Sequence, residues 1–171
     1  ISFASWDGEE EGLIGSTEWA EDHAAELDHA VAYFNTDVAV SGPKFEASAV
    51  PSLKNFLRDV TRSVPSPSGG TVFDQWTKAR ALDEIASFAP EAAGSQAHPP
   101  AVRDQRQPQV GDLGSGSDYT VFLQHLGVPS TDIGSTGSYG VYHSAFDDFQ
   151  WFKEFGDPNF LYVQQMARLF G

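Results

Sequence analysis

The chain contains no cysteine. That excludes a disulfide framework and a thiolate metal site, so a transition metal bound here must be held by His, Asp and Glu; it leaves the redox compartment open. Basic residues are also scarce, 10 Lys and Arg against 24 Asp and Glu, for a formal net charge of −14. Such a surface repels nucleic acid and anionic membranes and disfavours nucleic-acid binding. No apolar run approaches the roughly 18 residues of a membrane span, and no internal repeat is visible. What is there is one domain's worth of chain: at 171 residues, folding buries roughly 70% of the surface the unfolded form exposes. Ile1 reads as mid-strand rather than as a natural start, so further chain is expected upstream.

Periodicity organises the rest. "ISFASW", Ile1–Trp6, reads as a short buried strand bounded by Asp7 and Gly8. Leu13, Thr17, Ala20, Ala24 and Leu27 then recur at helical spacing, with Glu18, Glu21, Asp22 and Glu26 mostly on the other face. "AVAYFNT", Ala30–Thr36, is a second strand candidate ending at Asp37, so strand, helix and strand predict a parallel βαβ unit. Pro51–Val64 predicts a helix with Pro51 in its first turn and Leu53, Phe56, Leu57 and Val60 on one stripe. Thr71–Phe88 reads as partly helical, and the proline-bearing stretch Ala89–Asp112 as an active-site loop. "GSGSDYTVFLQHLG", Gly114–Gly127, reads as a glycine turn feeding a short helix capped by Ser or Asp. "VPSTDIGS", Val128–Ser135, is a third strand and Asn159–Phe170 a closing helix. The fold class is α/β, a mixed and mostly parallel sheet flanked by helices.

The chemistry-bearing residues say little one at a time. Three adjacent glutamates, Glu9, Glu10 and Glu11, suit a helix N-terminus and water. Asp37 suits a turn, and His143, in "GSYGVYHSAFDDF", suits a solvated loop. Together they point further, because acids at the ends of consecutive parallel strands converge on the crevice where α/β sheets bind ligands. Two carboxylates and an imidazole form a hard-to-borderline donor set that suits zinc when thiolates are absent. A metal also accounts for the crowding: one glutamate neutralises the cation while its neighbour stays free to take a proton from activated water.

"FASWDGEEEGLIGSTEWAE", "YFNTD", "LGSGSDYTVFLQHLG" and "YHSAFDDFQWFKEFGDP" resemble, in this order, the catalytic domain of glutamate carboxypeptidase II-like zinc peptidases. The likeness covers most of the chain outside about Ser66–Val110. It implies a zinc-exopeptidase fold with two zinc ions, a peptide substrate, and a homodimeric parent outside the cytoplasm, secreted or membrane-anchored. By matching positions, Glu9 resembles the general base, Glu10 and His143 ligands of one zinc, and Asp37 a ligand of the other. Tyr142 resembles the tyrosine that steadies the oxyanion, and Gly116 and Ser117 the residues lining the substrate cleft. Glu11 stands where relatives usually carry an apolar or aromatic residue.

The resemblance also implies what is missing. The family's H-x-D motif lies upstream of the "FASWD" strand, and no histidine of this chain begins one. The protease-associated domain and the C-terminal helical domain are absent too. Residues 1–171 are therefore expected to be a single, partial catalytic domain, inactive alone and binding zinc weakly or not at all. Two alternatives share the architecture: a non-catalytic transferrin-receptor-like module, and a single-zinc enzyme like glutaminyl cyclase. The segments that carry an arginine patch in relatives preferring acidic peptides contain no arginine here; Lys44 is their only cation, and Asp132 stands about where one arginine would be.

Overall fold

A computed structural model describes residues 1–87 and 107–171. Among these residues three strands, β1 (Tyr33–Asn35), β2 (Lys44–Ala49) and β3 (Ser130–Thr136), form a mixed sheet in the order β1-β3-β2. β1 runs parallel to β3, with Tyr33 opposite Ser130 and Asn35 opposite Asp132; β2 runs antiparallel to β3, from Lys44 opposite Thr136 to Ala49 opposite Thr131. β2 escapes a search for apolar runs, but its alternation is legible: Phe45, Ala47 and Ala49 point inward between exposed Lys44 and Glu46.

Two expectations fail together. Ile1–Trp6 forms no strand, and Ile1 and Phe3 are 116% and 87% exposed. A strand exists only through its ladder, and among the described residues nothing pairs with this segment. The predicted βαβ unit is therefore not made; the parallel pair is β1 with β3, almost a hundred residues apart in the chain.

Among the described residues six helices accompany the sheet: α1 (Ile14–Asp22), α2 (Ala24–Leu27), α3 (Lys54–Ser63), α4 (Val72–Ser87), α5 (Phe149–Trp151) and α6 (Leu161–Phe170). The single helix expected from Leu13 to Leu27 is broken at His23, whose backbone leaves the helical region. α1 starts where the chain folds back on itself: the carbonyls of Asp7 and Gly8 accept the N–H groups of Gly15 (3.1 Å) and Ile14 (3.0 Å). A Cβ at position 15 would stand 2.4 Å from Asp7 Oδ1, so only glycine lets the two segments meet. α3 and the short 3₁₀ turn Pro51–Leu53 before it match the prediction, with Leu57 buried and Phe56 half exposed. After the Gly116 turn the chain winds wide, as a π-type turn over Val121–His125, and no side chain caps it. A second such turn, Phe152–Gly156, follows α5. Of the predicted loop, Ala89–Arg106 lies outside the described residues; beyond it Gly111 bridges to Ser48 of β2. Among the described residues no helix is long and apolar enough to cross a membrane.

The core has two parts. Phe45, Ala47 and Ala49 of β2 and Ile133 of β3 pack with Leu57, Val72, Trp76 and Met166, so α3, α4 and α6 all contribute. A smaller aromatic cluster joins α1 to the 121–125 turn and β1. There Phe122, 1% exposed, stacks on Tyr33 at 4.0 Å and meets Trp6 at 5.8 Å; full burial of such a ring contributes about 1.5–3 kcal/mol. This cluster fixes Trp6, and Trp6 fixes the turn that carries the glutamates.

Candidate active site

Glu10–Gly12 form a tight turn closed by the Glu9 carbonyl, which accepts the N–H groups of Gly12 (3.0 Å) and Leu13 (2.9 Å). The turn throws the glutamates to one end of the sheet. Asp37 reaches the same end from β1, and the 139–148 loop brings His143 there after β3. Glu10, Asp37, Tyr139, Tyr142, His143 and Asp147 line one open cleft of about 650 Å³, walled on its far side by Val163, Met166 and Phe170 of α6.

His143 lines this cleft from the 139–148 loop. Its φ of +57° places a non-glycine residue in the left-handed region, where backbone strain of about 1–3 kcal/mol persists only when its surroundings impose it. Its Nε2 lies 2.5 Å from Glu10 Oε1, and its ring stacks on that of Tyr142 at 3.7 Å. Tyr139 packs against Tyr142 and Trp151 and donates its hydroxyl to Asp147.

The electrostatics follow from crowding. Partial burial, then the negative charges of Asp37, Glu10 and Asp118, push the Glu9 carboxyl above its ordinary range, with His143 opposing them. Desolvation and the charges of Glu10, Asp37 and Glu9 raise the Tyr142 phenol as well, so at neutral pH it keeps its proton and remains a donor. Partial burial raises Asp132, helped by Asp37 and opposed by a hydrogen bond from Asn35.

Of the residues singled out in the sequence, Glu10, Asp37, Tyr142 and His143 share the cleft. Glu9 stands within electrostatic reach of all four and of Asp118 without lining the cleft. Gly116 and Ser117 are placed differently. Gly116 makes the turn at φ +114°, while Ser117 is 3% exposed and accepts a hydrogen bond from Asn35 Nδ2. Neither lines the cleft. Lys44 pairs with Glu46 on β2, away from it. In kind, the carboxylates of Glu10 and Asp37 and the imidazole of His143 fit zinc. As arranged, no three His, Asp or Glu side chains among the described residues close around one point tightly enough to hold an ion, and Glu10 and His143 spend a donor atom on each other.

The sequence reading missed the layer beneath the cleft. Trp6 Nε1 donates to the Tyr33 hydroxyl (2.9 Å), which donates to Asn35 Oδ1 (3.0 Å); Asn35 Nδ2 donates to Ser117 Oγ and Asp132 Oδ1, each at 3.0 Å. The available signal was the asparagine itself, a polar residue inside the apolar run "AVAYFNT".

Comparison with known proteins places the chain in a family. Over its whole length the chain is 38% identical to a probable glutamate carboxypeptidase of Arabidopsis thaliana and 33% identical to the aminopeptidase NAALADL1 of Mus musculus, covering 22% of each. It is 30% identical to the vacuolar protein sorting-associated protein 70 of Saccharomyces cerevisiae, covering 19% of it. The chain thus spans about a fifth of the length of these relatives. The sequence model of peptidase family M28 matches residues 1–154, and with nine-tenths of its length so matched the chain belongs to that family.

Proposed function

We propose that the whole protein is a zinc-dependent exopeptidase, of carboxypeptidase or aminopeptidase type, of which this chain forms part of the catalytic domain. The observation that carries the reading is the convergence of Glu10, Asp37, Tyr142 and His143 on one cleft with Glu9 beside it. Glu10, Asp37 and His143 would hold the metal, with further ligands from chain outside this segment completing a two-zinc site. When bound there, zinc supplies the Lewis acidity that makes water a nucleophile at neutral pH.

This chain's own residues carry the proton and the charge. Glu9 takes the proton of the attacking water as the new C–O bond forms at the scissile carbonyl, and returns it to the amine nitrogen as the C–N bond breaks. The Tyr142 hydroxyl donates to the oxygen on which negative charge develops. The sheet of the complete domain is mostly parallel. The substrate is a peptide rather than nucleic acid, in keeping with a net charge of −14, and the protein acts outside the cytoplasm as a homodimer.

Glu9→Gln in the whole protein should keep full zinc occupancy while kcat falls about 10²–10⁴-fold; Glu10→Gln should lower zinc occupancy. Equal metal loss in both variants would exchange the two roles, and a Glu9→Gln enzyme of undiminished kcat would end the reading. Two zinc ions per chain would separate it from a single-zinc cyclase; none, with no hydrolysis, would favour a receptor-like module.

A further inference from the structure

Asn35 is 4% exposed, two residues before Asp37, and uses its whole amide. Its Oδ1 accepts from Tyr33, and its Nδ2 donates to Ser117 and to the Asp132 carboxylate, which can only accept. Through Tyr33 the same amide reaches Trp6, three residues before Glu9. Four segments of chain meet there: the lead into the glutamate turn, β1 leading into Asp37, the Ser117–Asp118 turn, and β3. β1 runs on into Asp37, the turn carries Asp118, and β3 carries Asp132. A buried network with every partner satisfied fixes one arrangement of its elements, and a half-satisfied one costs more than none.

We propose that Asn35 is a positioning residue for the cleft. Its amide locks β1 against β3 and the 117–118 turn, and so sets where Asp37 stands relative to Glu9, Glu10 and His143. The proposal rests on the zinc-peptidase reading for its effect on activity, but its geometry stands apart from that reading. Asn35→Asp places a second carboxylate against Asp132 and breaks the lock. The paired change Asn35→Asp with Asp132→Asn exchanges donor and acceptor and restores it, because an amide again faces a carboxylate and the serine and tyrosine hydroxyls can turn to donate.

The test uses the full-length protein carrying Asn35→Asp alone and the paired change, with two readouts. Zinc affinity is measured by competition with a chromophoric chelator, and the Trp6 indole N–H resonance in tryptophan-labelled protein reports the network directly. Loss of such supporting hydrogen bonds costs about 10–100-fold in metal affinity. The single variant should weaken zinc by at least about tenfold and shift the Trp6 resonance, with unchanged circular dichroism below its melting temperature. The paired variant should recover both. Zinc affinity within about twofold of the original in the single variant, or a loss the paired variant fails to recover, overturns the proposal. If the unaltered protein binds no zinc, the peptidase reading falls. The Trp6 resonance then decides alone: a shift that the paired change reverses sustains the lock, and no shift refutes it.

Discussion

Replacing Asp157 with alanine should release α6 and the wall of the cleft with it. Asp157 is 2% exposed, and its carboxylate accepts three backbone N–H groups at the start of α6: Leu161 (3.0 Å), Tyr162 (2.8 Å) and Val163 (2.9 Å). The residue at the N-cap position itself, Phe160, sits at φ +55° and offers no side-chain bond. These otherwise orphaned donors therefore depend on one carboxylate, whose charge also suits a helix N-terminus. Loss of an ordinary cap costs about 1–2 kcal/mol, and hydrogen bonds to a charged group are worth about 1.5–3 kcal/mol each when made in a buried site. Leu161 and Val163 are 43% and 39% exposed, so water replaces part of what is lost, and the sum settles at about 2–4 kcal/mol. Asp157→Asn keeps one acceptor oxygen and should cost about half as much. Urea unfolding followed by circular dichroism measures both, with an unchanged m-value showing that stability alone has moved. Amides of α6 should also exchange faster, because Met166 and Phe170 hold this helix to the core and line the cleft. A cost below about 0.5 kcal/mol for the alanine variant, or unaltered exchange along α6, would refute the reasoning.

Other expectations concern charge. Asp132 has a carboxyl raised chiefly by burial, so the folded chain binds its proton more tightly than the unfolded one. The stability this group contributes is then present below its ordinary range, near pH 3.8, and lost as pH rises through the raised value. Asp132→Asn, whose carbonyl still accepts from Asn35, should match the original chain near pH 3 and gain on it progressively toward pH 7; a variant that loses ground as pH rises contradicts this. Substrate preference should follow the same field. Glu10, Asp37 and Asp147 line the cleft and Lys44 is paired with Glu46 elsewhere, so among the described residues an acidic side chain on the N-terminal side of the scissile bond meets no cationic fork. A peptide panel on the whole enzyme should show neutral or basic residues there accepted at least as well, and a tenfold higher kcat/KM for an N-acetyl-Asp-Glu type substrate would overturn that.

What could be read along the chain was what one segment determines by itself. The stripe Leu53–Val60 and the Pro51 start make a helix wherever they are placed, and "NFLYVQQMARLF" and "VPSTDIGS" fold as their periodicity dictates. Glu10, Asp37, Tyr142 and His143, singled out along the chain, do line one cleft, although the glutamates reach it on a turn rather than at the end of the strand expected before them. Tertiary structure decided whatever needs a distant partner. Ile1–Trp6 has strand composition but no ladder, so its propensity goes unexpressed; β2 is a strand because β3 lies beside it. Ser117 is drawn inward, away from the cleft, by an amide 82 residues earlier, and Asp132 is held by that same amide across 97 residues. Asp157 looks like a loop acid until α6 folds back over it. Hydrophobic period is a property of neighbours in sequence, whereas a buried polar group is settled only by the partner that satisfies it, and that partner is chosen by the fold.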